Sequence, residues 1–214
     1  MDDDWFRGPD WTQSDRDEFE RRLSRARPNN RGQYLRIKGL ALAEVGRVDD
    51  ARALWRRVLA DPGYQMERWA TLEHLADAAV QDAPEEAGRL YRILLAENPT
   101  LNATTHMAEV RLAELCIAQG SPESLAEADA LLVAWKENRS SPFPANHFQW
   151  EVALARLGLA MGDVVVARDA ARRALHHAEA AAPFPRHPEF GVVRADDGVL
   201  AWLTSLADDE ASAR

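Results

Sequence analysis

The histidines, the single cysteine and the acidic residues near them are the side chains of this sequence best suited to carry out chemistry. His106 and Glu109 are three residues apart on a predicted helix, so they could share one face, as metal ligands on helices do. A metal site needs a third and usually a fourth ligand, and none follows at a useful spacing. We therefore expect this pair to have a structural role, and we predict neither a metal site nor a cofactor.

The other candidates for chemistry are equally isolated. His176 and His177 are adjacent, so they point to different faces of a helix, and we expect them on the surface. Cys116 lies in mid-helix close to Leu112 and Ile117, which predicts a buried, unreactive thiol. The sequence contains no Gly-rich phosphate-binding loop, no G-x-S-x-G and no H-E-x-x-H. We therefore predict that the protein is not an enzyme.

The charge balance disfavours nucleic acid as a partner. Asp and Glu number 35 against 26 Lys and Arg, a formal net charge of -9, whereas phosphate binding needs a basic face. We expect the arginines that cluster near the N-terminus to pair with the acidic residues among them. The arginines are Arg21, Arg22, Arg25, Arg27 and Arg31, and their acidic neighbours are Asp15, Asp17, Glu18 and Glu20.

The composition also predicts a cytoplasmic protein without membrane association. No stretch approaches the roughly 18 consecutive apolar residues of a membrane span. The acidic residues Asp2, Asp3 and Asp4 are the reverse of a basic signal-peptide leader. One cysteine cannot form an intrachain disulfide, which fits a reducing compartment. The abundance of Arg and Ala is typical of proteins encoded by high-GC bacterial genomes.

Helical periodicity extends over most of the chain, and it defines the elements that must position any site. Strand signals are nearly absent, while Ala, Leu, Arg and Glu recur at helical spacing. We predict ten helices, at about 14–27, 31–45, 49–60, 67–81, 85–97, 104–119, 124–137, 146–161, 164–181 and 195–206.

The second to ninth helices form four hairpins, which predicts a repeat architecture because one hairpin cannot bury its apolar face alone. Stacked neighbours make the core continuous. We assign 1–30 to an N-terminal arm and capping helix, and 183–214 to a Pro-rich linker, a C-terminal capping helix around Trp202 and a short tail. The four degenerate hairpins of the central region, 31–182, are 31–63, 65–99, 103–137 and 145–182.

Small and aromatic residues recur in a fixed order along these hairpins. The first hairpin carries Gly39, Leu42, Gly46, Ala51, Trp55 and Leu59, and the second carries Trp69, Leu72, Ala76, Ala87, Tyr91 and Pro99. The pattern resembles the tetratricopeptide repeat (TPR) superfamily, in particular TPR-containing proteins of bacteria. The resemblance implies an all-α fold, a right-handed TPR-like α-solenoid of about four helix hairpins with N- and C-terminal capping helices. Two features depart from the pattern: Lys38 replaces a usual Leu, and the fourth hairpin lacks its aromatic residue.

The resemblance also implies a function, because the first helix of each TPR pair lines a concave groove that binds a protein or peptide. We therefore expect a protein–protein interaction scaffold or adaptor. The groove residues carried over by register are Gln33, Arg36, Leu40, Glu44, His74, Asp77, Met107, Arg111, Glu114, Gln149 and Arg156.

Two roles are open for the three arginines of this set. Arg36, Arg111 and Arg156 could bind carboxylates of a partner bidentately. Alternatively, they pair with acidic residues of neighbouring helices within the chain, and the candidates are Glu44, Asp77 and Glu114.

Two other functions and one alternative interface are compatible with the sequence. The array could instead regulate a neighbouring gene product or sense a signalling peptide, or it could be a non-catalytic subunit of an enzyme complex. Trp5, Phe6 and Trp11 precede the first helix, and we expect them to cap the first hairpin. In the alternative, this arm occupies the groove of its own or a second chain, which would give a homo-oligomer.

Overall fold

The computed structural model describes residues 4–138 and 141–208, and every regular element in these two ranges is helical. The ten α-helices are α1 (Gln13–Arg25), α2 (Pro28–Glu44), α3 (Val48–Ala60), α4 (Gln65–Ala79), α5 (Pro84–Glu97), α6 (Ala108–Gln119), α7 (Pro122–Asn138), α8 (Pro144–Met161), α9 (Val164–Ala178) and α10 (Asp197–Asp208). One 3-10 turn, Pro62–Tyr64, separates α3 from α4. The predicted all-α class is confirmed. Asp2, Asp3 and the residues after Asp208 lie outside the described ranges.

Prolines begin four of the helices, which explains most differences from the predicted helix starts. Pro28, Pro84, Pro122 and Pro144 are the first residues of α2, α5, α7 and α8. The sequence pattern had placed each of them in the preceding turn. The first N–H of a helix has no intrahelical acceptor, so proline loses no hydrogen bond there, and its fixed φ suits the helix.

Local capping interactions determine several other helix ends. The N-cap of α1 is Thr12, because the Thr12 hydroxyl accepts from the Asp15 N–H while the Asp15 carboxylate accepts from the Thr12 N–H. After α2 and α8 the chain turns at Gly46 and Gly162, whose φ values of 80° and 78° favour glycine.

The start of α6 differs most from its prediction. Leu101, Ala103 and His106 have φ values of 52°, 61° and 63°, which are incompatible with a right-handed helix. The carboxylate of buried Glu73 accepts hydrogen bonds from the backbone N–H and the hydroxyl of Thr105. This bond between residues 32 positions apart holds the segment away from helical geometry, so α6 begins four residues later than predicted.

The chain divides into two compact units, Met1–Thr105 and His106–Arg214. In the first unit α2 packs against α3 and α4 against α5, and α3 also contacts α4. In the second unit α6 packs against α7 and α8 against α9, while α10 covers α9. Each unit therefore contains two of the four predicted helix pairs.

A close approach between α2 and α3 organises the core of the first unit. The Trp55 side chain is only 2% exposed, and its indole N–H donates to the backbone carbonyl of Arg36 at 3.1 Å. A Cβ added at Gly39 would lie 2.8 Å from Cδ1 of Trp55 and would overlap the ring still further at its nitrogen. The predicted pairing of a small residue with an aromatic is therefore confirmed at this position.

The N-terminal arm packs on its own chain. The Trp5 and Trp11 rings each contact the Phe19 ring of α1, with centroid separations of 5.2 and 5.4 Å, and Phe6 contacts Tyr34 of α2 at 4.4 Å. Phe6, Trp11 and Phe19 are all buried. In the described part of the chain, these rings thus cover α1 and α2.

Lys38 occupies a position where the TPR pattern usually has Leu, and its side chain holds the N-terminal arm in place. Its side chain is 4% exposed, and its ammonium donates to the carbonyls of Gly8 and Asp10 at 2.6 and 2.9 Å. The ammonium also lies 5.0 Å from the centre of the Trp11 ring, within cation–π range. Burial lowers the pKa of Lys38, while the charges of Asp10 and Asp15 oppose this shift.

Alanines replace the missing aromatic in the second unit. Ala167, Ala170, Ala171 and Ala174 on α9 are completely buried. A Cβ at Gly158 of α8 would lie 2.9 Å from the backbone nitrogen of Ala167, so the two backbones approach too closely for a ring. Behind α9, α10 contributes to a cluster of buried residues that comprises Phe148, Val152, Ala171, Ala174, Leu203 and Ala207.

We expect Gly39→Val to lower the free energy of unfolding by about 1–3 kcal/mol, the usual cost of overpacking a core. The added methyl groups would overlap the Trp55 indole, which is only 2% exposed. Urea unfolding measures the change. Gly8→Val is the matched control, because no atom lies within 4 Å of a Cβ at Gly8. Equal stability of the two variants would contradict the close approach.

The chain has two lysines, and the structure predicts different reactivities for them. We expect Lys38 to react with acetic anhydride at least about tenfold more slowly than exposed Lys136, because its reaction requires local opening of the arm. Mass spectrometry of the partially acetylated protein measures both rates. Equal rates would show that the arm does not cover Lys38.

Candidate functional site

The residues considered for chemistry lie apart in the structure. His106 is exposed and precedes α6, whereas Glu109 is buried on that helix, so the two do not share a helix face as expected. Cys116 is 2% exposed, and its predicted burial is confirmed. His177 is half-buried and stacks on His147 at 5.2 Å, so the expectation of a surface position fails for this histidine. Within residues 4–138 and 141–208, no group of three or more His, Cys, Asp or Glu could hold a metal ion.

The first unit contains an open cavity of about 780 Å³. Side chains of α2, α3 and α4 line it together with the turns that follow α2 and α4. The lining residues are Leu40, Ala43, Gly46, Arg47, Val48, Asp49, Asp50, Arg52, Trp55, His74, Asp77, Ala78, Gln81 and Asp82. The cavity lining is therefore of mixed polar and apolar character.

Half of the groove residues predicted in the first unit line this cavity. Leu40 projects from α2, and His74 and Asp77 project from α4. Gln33 and Glu44 are exposed on α2 but lie outside the cavity lining. Three of the predicted residues, from α2 and α4, thus share one surface.

Arg36 pairs with a residue that the sequence analysis did not identify. Its Nε donates to the Glu67 carboxylate of α4 at 2.5 Å, and its Nη1 approaches His74 Nε2 at 3.4 Å. Both members of the ion pair are largely buried. Of the two open roles for Arg36, the structure shows intrachain pairing, with Glu67 in place of Glu44 or Asp77.

His74 is an uncharged member of the cavity wall. Burial, followed by the positive charge of Arg36, lowers the pKa of His74 to about 4. Its ring lies 5.5 Å from the ring of Trp55, between the aromatic core and the cavity. At neutral pH the imidazole therefore adds a polar surface to the cavity without adding charge.

Both arginines of the cavity are held by carboxylates of the same chain. Arg52 donates to both carboxylate oxygens of Asp82, at 2.7 and 2.6 Å, and also to the Ala78 carbonyl. This pairing raises the pKa of Arg52 and lowers the pKa of the Asp82 carboxyl. Arg47 donates to Asp50 through Nε and Nη2, at 2.9 and 2.6 Å. Each arginine thus has a carboxylate partner within the cavity wall.

The cavity wall carries two further carboxylates. The side chain of Asp49 is 99% exposed and reaches Arg52 only at 3.5 Å. Asp77 accepts a hydrogen bond from the hydroxyl of Tyr91. The cavity lining thus contains four aspartates and two arginines.

Three of the five groove residues predicted in the second unit form an ionic cluster, and these are Arg111, Glu114 and Arg156. Glu114 accepts from Arg111 at 3.3 Å and from Arg156 at 3.2 Å, which is the intrachain pairing considered for Glu114. The guanidinium of Arg156 also lies 5.7 Å from the centre of the Trp202 ring. Gln149 is half-buried on α8.

Met107 differs from the other predicted groove residues. It is 3% exposed and directly precedes α6, so it offers almost no surface to a partner.

The ion pairs between helices, which the sequence pattern did not predict, have a common spacing in the sequence. Three long-range ion pairs join residues separated by nearly the same interval: 31 positions for Arg36 and Glu67, 30 for Arg52 and Asp82, and 29 for Arg68 and Glu97. This interval is close to one helical repeat. A search for opposite charges one repeat apart would have found all three pairs.

Comparisons of the chain with protein-family models, with curated proteins and with solved structures found no match. Among the described helices, none is long and apolar enough to cross a membrane. Functional inference therefore depends on the geometry and charge of the cavity itself.

As the pH is lowered from 6.5 to about 4, we expect the free energy of unfolding to decrease. The decrease should be roughly 1.4 kcal/mol for each unit by which the pKa of His74 is depressed. In this interval the unfolded chain binds a proton at His74 that the folded chain does not bind, so acid favours the unfolded state. Above pH 6.5 this contribution is constant. Urea unfolding at a series of pH values measures the effect.

The variant His74→Gln should lose this part of the pH dependence, whereas the exposed His176→Gln control should keep it. Identical pH profiles for the wild-type protein and His74→Gln would contradict a buried, neutral imidazole.

Proposed function

We propose that this protein is a TPR-like interaction module that binds a partner protein or peptide through the cavity between α2 and α4. The proposal includes the architecture: four degenerate TPR-like helix pairs in a right-handed α-solenoid, with a capping helix at each end. The helix pairs within each unit and the contact between Gly39 and Trp55 support it, because small–aromatic pairing is the packing rule of such repeats.

The cavity in the first unit is the observation on which this function rests. Leu40 and Ala43 of α2 and His74, Asp77 and Ala78 of α4 line it, and these two helices are the first members of successive pairs. An extended peptide or a helix can place side chains one helical turn apart against such a surface. The mixture of apolar and charged groups suits recognition of side chains more than enclosure of a small apolar molecule.

The chemistry of the cavity supports binding rather than catalysis. Its lining contains no Ser, Thr, Cys, Lys or Tyr that could act as a nucleophile. The pKa of His74, at about 4, is far from the value that a general base needs near neutral pH. Two of the four aspartates are engaged by Arg47 and Arg52. We therefore propose a non-catalytic role.

The packing of the N-terminal arm makes it a poor candidate for the contact surface. Trp5, Phe6 and Trp11 are engaged with α1 and α2 of the same chain, and Lys38 bonds the arm to α2. A partner would have to displace these contacts in order to use the arm. We propose that the cavity is the primary contact, with self-association through the arm a secondary alternative.

The test uses a displayed library of random peptides of about 12 residues, which is enough to cross two helices in an extended conformation. The library is panned on the full chain, and the enriched peptides are measured by fluorescence anisotropy. We expect Ala43→Phe to weaken binding by at least about tenfold, because the added ring fills the cavity.

The matched control is Ala130→Phe, which adds the same ring at an exposed position of α7. Its binding should equal that of the wild-type protein. Two results would contradict the proposed function: no enrichment of peptides, or enriched peptides that bind Ala43→Phe as tightly as the wild-type protein.

A further inference from the structure

We infer that the second unit carries a docking surface of its own, at the end of the α8–α9 hairpin where the two helices join. The surface comprises Leu159 and Met161 of α8 and Val165, Val166 and Arg168 of α9, and we call it the hairpin end. It binds a partner segment that presents an aspartate or glutamate beside aliphatic side chains, with the carboxylate placed on Arg168. This site is additional to the cavity of the first unit, so it goes beyond the proposed function.

The first argument is a buried guanidinium without an acceptor. Arg168 is 9% exposed, and its Nε and Nη2 atoms are buried without a hydrogen-bond partner among the residues that the structure describes. A buried donor that lacks an acceptor is costly, and a charged donor is more costly than a neutral one. A carboxylate matches the planar donors of a guanidinium, so a ligand that supplies a carboxylate would remove this cost.

The carboxylates nearest to Arg168 on α9 are engaged with other groups. Asp163 caps the helix and accepts from the N–H of Val166 at 3.0 Å. Asp169 accepts from Nη1 of Arg172 at 3.1 Å. Neither carboxylate forms a hydrogen bond to Nε or Nη2 of Arg168. We therefore expect the acceptor for Arg168 to come from outside the hairpin.

The second argument is that α10 covers only part of α9. Arg172 donates through Nη2 to the carbonyl of Ala207 in the last turn of α10, at 3.0 Å. The α9 residues that share an apolar cluster with α10 all belong to the later half of α9, and they are Ala171, Ala174, Leu175 and Ala178. The capping helix thus ends beside Arg172, and the first turns of α9, which carry Arg168, extend beyond it.

The third argument is the concentration of exposed apolar side chains at the hairpin end. Leu159, Met161, Val165 and Val166 are all exposed, although they lie within eight consecutive positions of the sequence. Met161 and Val165 are the most exposed of them, at 57% and 67%. Val165 precedes Arg168 by three positions, so the two side chains are neighbours on one face of α9. Apolar groups clustered beside a polar one are typical of protein interaction sites.

This combination of groups favours an acidic protein segment over other anions. A nucleic acid needs a basic face, whereas the chain has a net charge of -9 and the rim around Arg168 is aliphatic. A small anion would pair with the guanidinium but would leave the apolar side chains in water. A segment with leucine, isoleucine or valine next to its carboxylate satisfies both, because its aliphatic side chains bury those of Met161 and Val165.

The binding test uses a displayed library of random peptides of about 12 residues, panned on the full chain that carries Ala43→Phe. This substitution fills the cavity of the first unit, so the result does not depend on the proposed function. We expect the enriched peptides to carry aspartate or glutamate next to leucine, isoleucine or valine. Replacement of that acid by its amide should weaken binding by at least about tenfold, as measured by fluorescence anisotropy.

On the protein side, Arg168→Met and Val165→Asp, each added to the panned chain, should also weaken these peptides by at least about tenfold. The first removes the charge that pairs with the carboxylate, and the second places a negative charge on the apolar rim. The matched control is Val133→Asp, which makes the same change at an exposed position of α7 in the same unit. Its binding should equal that of the panned chain.

The stability of Arg168→Met separates a binding role from a structural one. Because the guanidinium is buried and unpaired within the described chain, replacing it by an apolar side chain should raise the melting temperature by about 2–4 °C. Arg56→Met, at an exposed position of α3, is the control and should leave the melting temperature unchanged within about 1 °C. A melting temperature lowered by Arg168→Met would show that Arg168 is paired within the chain, and would overturn the inference.

Three binding results would also overturn it: enriched peptides without an acidic residue, acidic peptides that bind Arg168→Met as tightly as the panned chain, or no enrichment. None of these results concerns the cavity, which is filled in the panned chain. A deletion of residues 209–214, which include Asp209 and Glu210, tests the remaining occupant. If acidic peptides bind only after this deletion, the site belongs to the chain's own acidic residues and the external partner is refuted.

Discussion

The contact between the Trp55 ring and α2 is the constraint on which the first unit depends. The ring lies where Gly39 has no Cβ, and its N–H is satisfied by a backbone carbonyl of α2, that of Arg36. The separation of α2 and α3 is thereby set by the thickness of one indole. The ring of His74 on α4 packs against the same Trp55 ring, and this contact helps to position α4. Both rings also line the cavity.

Tryptophan side chains whose N–H donates to a backbone carbonyl also occur in the second unit. The Trp135 indole N–H donates to the carbonyl of His106, and that of Trp150 donates to the carbonyl of Leu132. Each of these two rings thus lies between neighbouring segments, and its N–H donor is satisfied. Where no such ring is present, between α8 and α9, alanines and a glycine allow the helices to meet directly. The two alternatives explain why repeats of unequal sequence can form similar helix pairs.

Local sequence predicted the ten helices and their pairing, since periodicity and turn residues act over a few positions. It misjudged the start of α6, because the cause is the distant bond from Glu73 to Thr105. For the candidate site, register correctly brought Leu40 and His74 to one surface, because register depends only on helix geometry. Helix register alone could not choose among the possible ion pairs, because these depend on how far neighbouring helices are shifted along their axes. The partner of Arg36 is therefore Glu67, which was not among the predicted candidates.

The anchoring of the N-terminal arm has a consequence for how the protein is made. Trp11 is synthesised 39 residues before Asp50, to which its indole donates, and Gly8 and Asp10 precede Lys38 by 30 and 28 residues. At translation rates of about 5–20 residues per second, the residues on which the arm docks are made on the order of several seconds after the arm itself. During that interval its three aromatic rings remain exposed outside the ribosome. The arm therefore joins the fold late although it is made before α2 and α3, and the nascent chain is most open to chaperones or to self-association before these two helices emerge.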